Sequence, residues 1–200
     1  MKNIFVLGAG RSSTVLIEYL MMEKTSFNVI IGEKIPEIAE KKFPGSKIIP
    51  FDILDTETAR AQLKTADLVI SMLPPTLHLP VAVICADLGI SMLTASYVSD
   101  EIQKLSSSFE SKGICCIMEM GLDPGIDHMS AMRILDKIKS AGHKLTAFET
   151  FTGGLLADDQ KVDNPWQYKF TWNPRNVVLA GIGIVKFIQE GRLKYIPYQK

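Results

Sequence analysis

The chain has no surplus of either charge: 22 Lys and Arg residues balance 22 Asp and Glu residues. A protein that grips nucleic acid or an anionic membrane needs a basic face, so the balance argues against both partners. Cysteine is scarce, limited to Cys85, Cys115 and Cys116. Two of these are neighbours and no Cys-x-x-Cys pair occurs, which argues against a disulfide framework and a thiolate metal site. Reduced thiols in the cytoplasm are the expectation. Histidine is equally sparse, and neither His-x-His nor His-x-x-x-His occurs, so no transition metal is expected. Long apolar runs are missing as well. The most apolar late run, VVLAGIGIVKFI, is too short to span a bilayer, and the opening MKNIFVLGAG does not read as a secretory leader.

What is present is a chain of 200 residues with 46% hydrophobic residues, enough to bury a core. Short β-branched runs alternate with amphipathic stretches. NIFVLG (3–8), FNVIIGE (27–33), KIIPFD (47–52), ADLVISML (66–73), GISMLTA (89–95) and GICCIME (113–119) read as strands. Between them, residues 12–23, PEIAEKKF, TETARAQLK, HLPVAVICADL and SDEIQKLSSSFESK read as helices. That alternation predicts an α/β fold with a doubly wound, Rossmann-type parallel sheet over residues 1–122. The texture changes after Asp123. A helix, IDHMSAMRILDKIKSAG, leads to a strand, HKLTAFETFTGG, then an irregular polar stretch and a final helix, NVVLAGIGIVKFIQEG. Residues 123–200 are therefore expected to begin a second α+β domain, too small and strand-poor to close a core alone.

The first strand runs into VLGAGRSS. In a dinucleotide loop the first glycine permits the tight turn and the second lets the backbone approach the pyrophosphate; Gly8 and Gly10 fill these places. Ser13 replaces the third glycine, and Ser12 and Ser13 bring hydroxyls to a helix N-terminus, where anions bind. Glu33 ends the second strand, where a carboxylate commonly takes the ribose hydroxyls. A 2′-phosphate there would meet like charge, which favours NAD over NADP, with Lys34 next door as partial compensation. The loops SMLPP and TASYVS follow the fourth and fifth strands and would line the nicotinamide end of the crevice, bringing Thr94, Ser96 and Tyr97 with them.

The run GLDPGIDH (121–128) allows two readings. Asp123 before Pro-Gly suits a helix N-cap, and Asp127 in the first turn suits the helix dipole. The same residues also suit acid–base chemistry.

Taken together, SMLPPTLH, TASYVS, MEMGLDPGIDHM, TGGLLADD and DNPWQYKFTWNP resemble the glutamate-forming saccharopine dehydrogenases, over a stretch from Gly8 to about Leu179. The resemblance implies a Rossmann domain, a second domain with a mixed sheet, and a homodimer. It implies hydride transfer between a nicotinamide cofactor and the C–N bond of saccharopine, a small amino-acid substrate of lysine metabolism. Related imine reductases, of the carboxynorspermidine type, share the outline, and a chain that binds the dinucleotide without turnover is a further alternative. The resemblance places the cofactor on Gly10, Arg11 and Ser12, with Glu33 at the adenosine ribose. Asp52 and Ile53 would lie near the adenine and Leu73 on the nicotinamide side. Ala95 and Ser96 would contact the cofactor, Leu122, Asp123 and Pro124 would border the nicotinamide, and Thr171 would approach from the second domain. Ser96 and Tyr97 would touch the substrate; Asp123 and Tyr97 are the candidates for proton handling. Fungal members carry Arg at the position of Glu33, which puts NADP in doubt for this chain.

Overall fold

The computed structural model describes residues 1–23, 26–151, 153–160, 162–171, 173–180 and 184–197. Contacts divide the chain into two compact units, Met1–Ala147 and Phe148–Lys200.

The first unit holds a six-stranded parallel sheet: β1 (Lys2–Leu7), β2 (Phe27–Glu33), β3 (Lys47–Pro50), β4 (Leu68–Ser71), β5 (Ser91–Thr94) and β6 (Cys116–Ile117). Their order across the sheet is β3-β2-β1-β4-β5-β6, the doubly wound arrangement expected. Helices α1 (Thr14–Met22), α2 (Pro36–Lys42), α3 (Thr56–Leu63), α4 (His78–Leu88), α5 (Asp100–Gln103) and α6 (Ser106–Ser111) connect them, and α7 (Ile126–Ser140) follows.

The strands are apolar on both sides because helices cover both sides. Alternate β1 residues go to different cores, as the two-residue period of a strand demands. Phe5 and Leu7 pack with Ala59 and Leu63 of α3, Val81 and Cys85 of α4, and Met92. Ile4 and Val6 pack with Ile17 and Leu20 of α1, Ala39 of α2, and Ile31. Each fully buried aliphatic or aromatic side chain contributes roughly 1.5–3 kcal/mol, so the central strands are the firmest part of the unit. The chain starts helices where the sequence offers caps: Asp55 accepts the Thr58 N–H at 3.2 Å before α3, and Ser99 accepts the Ile102 N–H at 3.3 Å before α5.

Several expectations are corrected. The stretch 99–112 forms two short helices, not one, with Lys104 and Leu105 between them. GICCIME yields only the two-residue edge strand β6. No strand forms in the described part of 143–154; an extended run without a neighbour to exchange backbone hydrogen bonds has no ladder to join.

In the second unit, α8 (Pro174–Ala180) precedes an antiparallel hairpin, β7 (Val185–Gln189) with β8 (Arg192–Ile196). The predicted helix over 176–191 is thus wrong from residue 185 onward, and its residues 181–183 lie outside those described. The turn is Glu190 (φ 53°) and Gly191 (φ 71°), two consecutive left-handed residues of the kind that match strand twist. VKFIQEGRLKYI alternates β-branched and aromatic residues around that turn, a pattern an apolar-run reading conceals. Every residue of both strands is exposed.

Candidate functional site

At the sheet's switch point, between β1 and β4, the chain leaves β1 through Gly8, Ala9 and Gly10 and enters a short 3-10 turn, Arg11–Ser13, before α1. Gly8 has φ +97°, and a Cβ there would stand 3.0 Å from the Met72 carbonyl oxygen and 3.5 Å from Leu73. The loop and the end of β4 therefore approach as closely as a bare backbone allows. Arg11 and Ser12 are exposed at the mouth of the loop. Ser13 is buried instead, its hydroxyl donating to the Gly10 carbonyl at 3.0 Å. That corrects the reading of Ser13 as an anion donor; its hydroxyl holds the turn shut.

The Glu33 carboxylate, at the end of β2, accepts the Ala9 N–H at 2.8 Å and the Lys34 N–H at 2.9 Å. It is thereby fixed beside the loop. Lys34 pairs with Asp52 at 2.7 Å rather than with Glu33. The ammonium of Lys34, with the Leu54 N–H, holds the Asp52 carboxyl below its ordinary range. Ile53, expected near the adenine, is a buried core residue. A residue the sequence did not single out, Lys42 at the end of α2, donates to the carbonyls of Ala9 at 2.9 Å and Gly10 at 2.7 Å. It thereby ties the end of α2 to the glycine loop.

The exits of β4 and β5 carry Leu73, Ala95 and Ser96, all half-buried. His78, isolated in the sequence, is buried and hydrogen-bonded to Ser71 and Ser96. Burial pushes its imidazole down to about 4, so it is neutral at physiological pH.

GLDPGIDH closes into a tight turn through Gly121 N–H to Pro124 O at 2.9 Å and Ile126 N–H to Gly121 O at 3.0 Å. The Asp123–Pro124 peptide is cis. Gly125 has φ +144°, and a Cβ on it would collide with the Gly121 backbone. The N-cap of α7 is Gly125. Asp123 is not the cap; it is exposed and accepts the Tyr97 hydroxyl at 2.8 Å. This bond, with desolvation and the neighbouring negative charge, pushes Tyr97 up to about 12, so the phenol keeps its proton. Leu122 is exposed and Pro124 buried. Asp123, Asp127 and His128 bring one ligand atom each within 4.8 Å of one another, and His128 Nδ1 already meets the Asp127 carboxylate at 2.7 Å. All the predicted site residues except Thr171 belong to the first unit; Thr171 is exposed in the second.

Residues 4–117 match the family described as the saccharopine dehydrogenase NADP binding domain, and residues 121–200 match the saccharopine dehydrogenase C-terminal domain. The chain belongs to the saccharopine dehydrogenase family. It is 35% identical over 195 residues to the mitochondrial alpha-aminoadipic semialdehyde synthase of Bos taurus, covering 96% of this chain and 21% of that protein. It is 34% identical over 197 residues to the NADP(+), L-glutamate-forming saccharopine dehydrogenase of Saccharomyces cerevisiae, covering 98% and 44%. The apo structure of the L-Glu-forming saccharopine dehydrogenase from S. cerevisiae superposes with a TM-score of 0.87 at 32% identity, over 99% of this chain and 44% of that one. The chain therefore spans less than half of the yeast saccharopine dehydrogenase and about a fifth of the bovine protein. Among the described residues, no helix is long and apolar enough to cross a membrane.

Proposed function

We propose that this chain carries the dinucleotide site and the opening of the substrate site of a glutamate-forming saccharopine dehydrogenase, an oxidoreductase of lysine metabolism. When bound, the nicotinamide would take a hydride from the C–N carbon of saccharopine, and water would then release glutamate and 2-aminoadipate semialdehyde. The observation that carries the reading is the Glu33 carboxylate locked to the Ala9 N–H of a loop that tolerates no Cβ at Gly8. Gly8, Gly10, Arg11 and Ser12 would cradle the pyrophosphate and Glu33 the adenosine ribose. Asp52 and Ile53 would flank the adenine; Leu73, Leu122, Asp123 and Pro124 would border the nicotinamide, with Ala95 and Ser96 on its ribose side. Tyr97, its proton held on the phenol, would orient Asp123, whose free oxygen would receive the proton of the substrate nitrogen.

The cofactor we infer is NAD, because a 2′-phosphate beside Glu33 would face a carboxylate that cannot swing away from two backbone donors. The relatives named for NADP(+) make the comparison of the two nucleotides decisive. A homodimer is supported by the exposed apolar residues of α7, Ile126, Met129 and Ile134, and is checked by sedimentation. Free cysteines, one of them exposed, support a reducing, cytoplasmic compartment.

The test is to mix the chain with saccharopine and either NAD or NADP while following reduced nicotinamide absorbance, alongside calorimetry with each nucleotide. Binding of NADH with turnover is expected; binding to neither nucleotide overturns the proposal. A second reading is a binding module that holds the nucleotide without turnover. Calorimetric binding with no absorbance change would decide for it.

A further inference from the structure

Ser71 and Thr94 are Cα partners at the ends of adjacent parallel strands, β4 and β5. Positions there, covered by helices on both faces, ordinarily hold apolar side chains. Here both hydroxyls are buried, and the first residue of α4, His78, folds over them with 1% of its surface exposed. Its Nδ1 lies 2.9 Å from the Ser71 hydroxyl, and its Nε2 lies 2.7 Å from Ser96 and 3.4 Å from Thr94. The Ser96 N–H in turn donates to the Thr94 hydroxyl at 3.4 Å. Setting four polar side chains side by side, three of them buried, gains nothing over an aliphatic cluster unless each is satisfied and the set performs a task. Three of the four are sealed. Ser96 is the half-buried member, at the loop that follows β5.

The chemistry of a neutral imidazole gives that arrangement its meaning. The ring carries one proton and has two tautomers. With the proton on Nδ1, donated to Ser71, Nε2 accepts the Ser96 hydroxyl proton and Ser96 offers lone pairs outward. With the proton on Nε2, Ser71 donates to Nδ1 and the Ser96 proton is free to point outward. Ser71, which can donate or accept, accommodates both.

We propose that His78 is a positioning residue that fixes the Ser96 hydroxyl at the nicotinamide end of the crevice, and that its tautomer, backed by Ser71, decides whether Ser96 meets the ligand as donor or acceptor. The proposal rests on the placement of Ser96 beside the cofactor given above. His78 itself touches no ligand.

Side-chain geometry supplies the test. The terminal amide of Gln reaches the place of Nε2, whereas that of Asn reaches only the place of Nδ1. NADH affinity is measured by calorimetry on the 200-residue chain for the wild type, H78N, H78Q, S96A and H78N/S96A. Losing one hydrogen bond that positions a ligand group weakens binding about 10-fold, so H78N and S96A are each expected to fall by that factor. The double variant should bind no more weakly than S96A, and H78Q should stay within about twofold of the wild type. Losses that multiply in the double variant, an H78N that binds like the wild type, or an H78Q as weak as H78N would each overturn the proposal. A wild type that binds no NADH overturns the nucleotide reading itself, a separately visible result. Should the His78 variants fail to fold, the ring nitrogen resonances of the wild type decide. A shift of the Nε2 signal on NADH addition supports the relay, and an unmoved signal sinks it.

Discussion

At the scale of single residues, three positions make the sharpest demands. Gly8→Ala would force a Cβ to within 3.0 Å of the Met72 carbonyl in a backbone conformation L residues avoid. The expected cost is about 1–3 kcal/mol, read as a lower urea midpoint, together with lost NADH binding by calorimetry. Glu33→Ser removes the carboxylate that would meet a 2′-phosphate. NADH is expected to bind about 10-fold more weakly and NADPH to gain relative to it, in parallel fluorescence titrations. His78 carries a pH signature. The unfolded chain protonates this ring as pH falls through about 6.5, but the fold resists until about 4. Between those values the unfolded state binds more protons, so stability is full above the upper value and drains as pH falls towards the lower. The wild type is expected to lose up to about 3 kcal/mol more than H78Q between pH 7 and pH 4, by denaturant midpoints. The glycine loop and Glu33 were legible in the sequence because a tight turn and a ribose site each restrict residue type at a known spacing. The Ser71–His78–Ser96 set was not, since its members belong to different strands and a helix and only pairing of β4 with β5 brings them together. Lys42 escaped for the same reason: nothing local says that a lysine ending one helix will cap the loop before another.

Among the elements, those with a single clear period were the legible ones. The β2 strand and α4 are found at their expected bounds, Phe27–Glu33 and His78–Leu88, because buried runs flanked by a turn or a prolyl loop admit one solution. The serine-rich stretch 99–112 misled, since its weak helix formers leave the break to tertiary packing of Ile102 and Phe109. Residues 176–191 misled because an apolar run has no intrinsic period of its own, and the Glu190–Gly191 turn decides in favour of a hairpin. Caps and core positions give element-scale expectations. Asp55→Ala, which frees the Thr58 N–H, should cost about 1 kcal/mol. Met92→Ala, in a strand with no exposed surface at that side chain, should cost about 2–5 kcal/mol; both are read from chemical denaturation of otherwise unchanged chains.

For the whole molecule, the division into units separates a closed core from a segment whose described residues are almost all exposed. Hydrogen exchange should therefore be slowest at β1, β2 and β4 and fast throughout β7 and β8, because an isolated hairpin has little to protect it. Uniform protection across both would contradict the burial pattern. The strand order also bears on how the polypeptide comes off the ribosome. The strand that opens the chain finds one flank soon, when Phe27–Glu33 emerges, but its other flank is Leu68–Ser71, paired from Ile4 to Leu7. Until that later segment leaves the exit tunnel, the nucleotide cleft has only one wall. A nascent chain halted before it should ignore NADH however long it waits, and one halted well after α4 should be the first to hold it.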